Sequence, residues 1–79
     1  MTYVELIKEA AKSLDKTKGT FTRQDIKEYI KSHYPNFPVN VHSLNPQIQG
    51  VTVNAPGGAP GAIGKNILER TDRGTYKLF

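Results

Sequence analysis

Apolar residues recur along the first part of the chain at the three- and four-residue spacing of a helix. Leu6, Ile7, Ala10, Ala11 and Leu14 share one face, and Thr2 with Glu5 three positions later forms a capping box that opens it. The pattern predicts a helix from about Tyr3 to Leu14. Lys16 to Gly19 interrupts the periodicity, and Gly19-Thr20-Phe21 reads as a short strand. Thr22 and Asp25 then repeat the capping spacing, while Phe21 before the cap and Ile26 after it make a hydrophobic staple. This second helix turns Ile26, Tyr29 and Ile30 inward. It is expected to end near His33, because Pro35 disfavours helical geometry at the residue before it.

Tyr34 to Pro38 reads as a stiff turn. In the stretch Ser43 to Asn54, SLNPQIQGVTVN, Leu44, Ile48 and Val51 recur on one helical face and Asn45 and Gln49 project from the other. Asn40, Ser43 and Asn45 are each able to cap this third helix. A start close to Ser43 is expected, which leaves Pro46 in the first turn where its missing N–H is not needed. Gly50 inside the helix implies close approach by another surface, either a tight helix crossing in the core or DNA. Ala55 to Gly64 carries four glycines and two prolines and reads as a loop. Asn66 to Phe79 reads as two strands joined at Asp72-Arg73-Gly74, with Gly74 in the left-handed position of a three-residue turn. That register pairs Thr71 with Thr75, Arg70 with Tyr76 and Leu68 with Leu78, turning Leu68, Tyr76 and Leu78 inward and leaving Arg73 at the tip.

Composition narrows the classes. Seventy-nine residues make one small domain, 1–79, with a single core. The absence of cysteine removes disulfides and thiolate metal sites, and fits an intracellular, cytoplasmic location. No run approaches the apolar length of a membrane span, so no membrane partner is expected. Eleven basic against seven acidic residues give a net charge of +4, yet no Asp, Glu, Lys or Arg lies between Pro35 and Gly64. Cations therefore flank an uncharged polar helix, a division of labour that suits phosphate attraction beside base reading.

The order of elements, with the runs TFTRQDIKEYI, NPQIQGVTVNAP and ERTDRGTYKLF, resembles a winged helix-turn-helix domain over essentially the whole chain. The fold class expected is α+β, three helices with a small antiparallel sheet and a C-terminal wing hairpin. The same runs resemble the small winged-helix modules that accompany restriction-type nucleases. The resemblance implies a non-catalytic module that binds double-stranded DNA and targets a nuclease domain covalently linked in a longer parent chain, or a regulatory protein. It also brings in modified cytosine, since some members of the wider group recognise modified bases, and association with the nucleoid when bound to DNA. The alternative is a winged-helix protein-interaction module.

Candidate base-reading residues are His42, Ser43, Asn45, Gln47 and Gln49 on helix three. Neutral amides present a donor and an acceptor in one plane, the pattern that grips an adenine edge, and the helix has no Arg or Lys to read guanine. Arg70, Arg73 and Lys77 on the hairpin, Lys65 and Asn66 leading into it, and Arg23 at the start of helix two are candidate backbone contacts. His33 and His42 lack supporting ligands for a metal, GGAPGAIGKN lacks the spacing of a phosphate-binding P-loop, and no nucleophile, base and orienting group recur at a recognisable spacing. No cofactor and no catalysis are expected.

Overall fold

The computed structural model describes residues 2–79. Its elements run α1 (Tyr3–Thr17), β1 (Thr20–Thr22), α2 (Arg23–His33), α3 (Val41–Gly50), β2 (Leu68–Asp72) and β3 (Thr75–Leu78). The three strands form an antiparallel sheet in the order β1-β3-β2. This is an α+β arrangement, three helices with a small antiparallel sheet, and its strand order is compatible with a winged-helix topology.

Both capping boxes form. Thr2 Oγ1 accepts from the Glu5 N–H at 3.2 Å and the Glu5 carboxylate accepts from the Thr2 N–H at 3.0 Å. Thr22 and Asp25 repeat the exchange at 3.1 and 2.9 Å. Helix α1 runs a turn beyond the expected Leu14, because Asp15 to Thr17 are compatible with helix although they contribute nothing to its apolar face. The first strand is displaced by one residue from Gly19–Phe21, since its register is set by pairing Phe21 with Tyr76.

Leu6, Ile7, Ala10 and Ala11 of α1, Ile26 and Ile30 of α2, and Leu44, Ile48 and Val51 from α3 and its C-terminal cap close on Phe21, Leu68 and Tyr76 from the sheet in one core. Each fully buried Leu, Ile or Phe contributes about 1.5–3 kcal/mol relative to exposure. The apolar stripe expected of the third helix is thus buried, but the helix bounds differ from expectation at both ends.

Helix α3 is capped by Asn40, not Ser43. Asn40 Oδ1 accepts from the His42 N–H at 2.9 Å, and the Asn40 N–H donates to the Tyr3 hydroxyl at 3.1 Å. Tyr3 packs edge-on against Phe37 and donates to the Pro38 carbonyl at 3.4 Å, so α1 fixes the point at which α3 begins. The earlier start places Pro46 in the helix interior instead of the first turn. Proline has no N–H, so the His42 carbonyl lacks its usual donor four residues on. The helix also stops at Gly50. Val51 to Asn54 leave it and run beside β2, with a parallel bridge between Thr52 and Leu68 and hydrogen bonds that join Val51 and Val53 to Ile67 and Leu68.

In the hairpin, Arg70 faces Tyr76 and Leu68 faces Leu78 as expected, but Thr75 pairs with Asp72, and Thr71 is the extra residue of a bulge. The turn is therefore tighter than the anticipated three residues. Gly74 adopts φ +73°, the left-handed conformation the turn requires. Leu68 and Tyr76 are buried, whereas Leu78 is half-exposed at the end of its strand.

Candidate nucleic-acid interface

The side of α3 away from the core carries His42 and Ser43, both exposed, and Asn45 and Gln49, both half-exposed. Asn45 is not the cap, because Asn40 has that role. The Gln49 amide donates one N–H to the Pro56 carbonyl at 2.5 Å, which leaves its second N–H and its Oε1 for another partner. Gln47 lies elsewhere. It lines a groove of about 710 Å³ with Thr2, Tyr3, Phe37, Gly61 and Lys65, so it is turned toward α1 instead of toward the Asn45 strip.

The loop from Ala55 to Gly64 forms neither helix nor strand, but it is clamped onto α3. The Ala59 N–H donates to the Pro46 carbonyl at 2.9 Å, and Ala62 is fully buried. A β-carbon on Gly50 would stand 2.7 Å from the Ala62 β-carbon and 3.1 Å from the Ala59 carbonyl oxygen. The close approach expected at Gly50 is therefore made by this loop, not by a crossing helix.

Asn54 joins the hairpin to the segment that follows α3. Its side chain accepts from the Arg70 N–H and donates to the Arg70 carbonyl, both at 2.8 Å, and so completes the β2 edge in place of a neighbouring strand. The periodicity of the chain assigns no role to Asn54, Pro56 or Gly58, because each acts through a contact with a separate segment. Asn-Ala-Pro at the boundary of a polar helix and a glycine-rich loop is the local signal for a side chain that substitutes for backbone pairing.

The cations divide into free and engaged groups. Arg70 and Arg73 are exposed on the hairpin, with Arg73 at its tip. Lys77 lies 3.7 Å from Glu69 across the strands, so part of its charge is compensated. Arg23 Nε donates to the Tyr76 hydroxyl at 3.0 Å, and the guanidinium lies over that ring at 5.9 Å, which commits one side of Arg23 to packing. Lys65 and Asn66 are exposed, with Asn66 in the left-handed region at φ +52°, on the other side of the hairpin from its turn. Asp25 is held below the ordinary carboxylate range mainly by the Lys18 ammonium, 2.9 Å away, with help from the Thr22 N–H.

His33 stacks on Tyr29 and contacts the Tyr29 carbonyl. Among the described residues, no group of three or more His, Cys, Asp or Glu side chains is placed to hold a metal, and no helix is long and apolar enough to cross a membrane.

Fold and surface together define a small α+β domain with an uncharged polar face on α3 and a hairpin that carries Arg70, Arg73 and Lys77 together with Glu69 and Asp72. The chain belongs to the family described as Domain of unknown function (DUF7669), which matches residues 3–78. Comparisons with curated proteins and with solved structures gave no match.

Proposed function

We propose that this domain is a non-catalytic DNA-binding module of the winged helix-turn-helix type, with α3 in the major groove and the β2–β3 hairpin on the adjacent backbone. The observation that carries this reading is the junction at Asn54. Two hydrogen bonds tie Arg70, on the hairpin that also carries the exposed Arg73, to the segment leaving α3, which supports reading the hairpin cations and the neutral outer side chains of α3 as parts of one surface. Base reading then falls to Asn45, Gln49 and the exposed His42 and Ser43, and phosphate contact to Arg70 and Arg73. Targeting of an attached nuclease or a regulatory protein, including to DNA with modified cytosine, is the biological role that the resemblance supplies.

Duplex binding measured across a salt series tests the proposal. Log affinity falling steeply with log salt is expected. Arg73→Gln should weaken all sequences alike and flatten the salt dependence by about one unit of slope, whereas Gln49→Ala should cost about 1–3 kcal/mol on a preferred sequence. Selection from a random duplex library, with and without modified cytosine, supplies that sequence and tests the targeting role. A second reading, a protein-interaction surface, draws on the side chains of Ile63 and Val53, 55% and 37% exposed, near the uncharged loop. No duplex binding at low salt would favour it and overturn the first.

A further inference from the structure

A second cationic site lies at the opposite end of the hairpin from the Arg73 turn. Lys8 and Lys12, one helical turn apart on α1, and Lys65 from the loop line a pocket of about 210 Å³ with Asn66, Ile67, Leu78 and Phe79. No carboxylate side chain lines it. On α1, Glu5 and Glu9 line a neighbouring groove with Lys8 and Lys12 but direct their hydrogen bonds to the capping box and to the hydroxyls of Tyr34 and Tyr29, and none of Glu5, Glu9 and Asp15 forms an ion pair with either lysine. Among the described residues the only ion pairs of lysines are Lys18 with Asp25 and Lys77 with Glu69, so this trio carries its charge without a salt bridge. Beside it stands an apolar wall. The Phe79 side chain is 65% exposed and Leu78 is half-exposed.

Three ammonium groups from two elements, with a ring and an aliphatic side chain alongside, fit a ligand that carries an anion next to a flat apolar body. We propose that Lys8, Lys12 and Lys65 bind the phosphate of a nucleotide whose base or sugar lies against Phe79, either as a free nucleotide or within a single strand. Single-strand sites combine these two parts, a cationic groove for the backbone and an aromatic face for the base. This site is independent of the α3–hairpin surface and does not require that surface to bind duplex DNA.

Titration of the isotopically labelled protein, followed by amide shifts in the nuclear magnetic resonance spectrum, tests it with three probes: inorganic phosphate, a nucleoside monophosphate and a short thymidine oligonucleotide. Saturable shifts confined to Lys8, Lys12, Lys65 to Ile67, Leu78 and Phe79 are expected with either nucleotide probe, and the tighter of the two identifies the source. The triple change Lys8→Gln, Lys12→Gln, Lys65→Gln should weaken nucleotide binding by about tenfold or more, and Phe79→Ala by about tenfold. All four side chains are exposed, so the unfolding transition should stay in place in these variants. Asn45→Ala with Gln49→Ala should leave the titration unchanged, which separates it from duplex binding. Nucleotide affinity unaffected by the lysine changes would overturn the proposal. Inorganic phosphate binding as tightly as the nucleotides would overturn the assignment of Phe79.

Discussion

At the residue scale, Gly58 has the least room of the glycines. A β-carbon there would contact Gly50 N and would stand 2.6 Å from Gly50 Cα and 2.8 Å from the Pro46 oxygen, all backbone atoms that cannot swing aside. Its φ of +107° adds conformational strain for any L side chain. Gly58→Ala is therefore expected to cost about 2–4 kcal/mol in denaturant unfolding, whereas Gly61→Ala, which meets nothing within 4 Å, should stay within about 0.5 kcal/mol. Equal losses at the two positions would show that the loop is not clamped as described. Tyr34 gives a test with pH. Its hydroxyl donates to both Glu9 oxygens, at 2.6 and 2.7 Å, and this hydrogen bond, with burial and the Glu9 charge behind it, pushes its pKa up to about 12. A raised pKa contributes stability that is intact below the unfolded value of about 10 and is lost as pH climbs toward 12, because the unfolded chain releases the proton first. Tyr34→Phe should thus lose less stability than the native chain between about pH 10 and 12, measured by urea midpoints. Identical losses would remove Tyr34 from the alkaline transition. Of these features, the sequence shows that Gly50 needs a neighbour, but which neighbour depends on a contact with Ala59 and Ala62 that no local pattern encodes.

At the element scale, legibility follows how local the determinant is. The starts of α1 and α2 are set by four-residue capping boxes that lie wholly in sequence, and both form as read. The start of α3 is set by Tyr3, far away in the chain, whose hydroxyl accepts from the Asn40 N–H. Among three residues able to cap, only that tertiary contact selects one. Its end is set the same way. Val51 continues the apolar stripe, but Val51 and Val53 reach Ile67 and Leu68 by backbone hydrogen bonds, and pairing with the sheet prevails over continuing a helix that contains Pro46 and Gly50. In the hairpin, the alternation of Leu68, Arg70, Tyr76 and Leu78 fixes the pairs distant from the turn, while the bulge at Thr71 adds a residue that a period of two does not register. The candidate site inherits this division. Arg73 at the tip follows from turn chemistry, whereas Gln47, turned toward the α1 groove, and Gln49, bonded to Pro56, are placed by contacts with distant segments.

At the scale of the whole molecule, α3, the loop and the hairpin share one apolar core, and beyond the backbone bonds that join Val51 and Val53 to Ile67 and Leu68 the Asn54 side chain carries this junction outward to Arg70. The core holds Leu68 and Tyr76 and β1 pairs with β3 as far as Thr75, whereas β2 from Arg70 to Asp72 is exposed and has the two Asn54 hydrogen bonds on its outer edge. Asn54→Ala removes both from an exposed site and is expected to lower stability by only about 1 kcal/mol. Its effect on the proposed duplex binding should have a different form from that of Arg73→Gln. No charge is removed, so the number of phosphates neutralised, and with it the slope of log affinity against log salt, stays the same. A hairpin that must be ordered on binding loses that free energy from the affinity, about three- to tenfold on every sequence alike. Faster hydrogen exchange at the Arg70 amide, which loses its acceptor, reports that the clip has opened. Unchanged affinity alongside faster exchange would show that the outer hairpin contributes no positioned contact, and would leave α3 alone to carry whatever binding occurs.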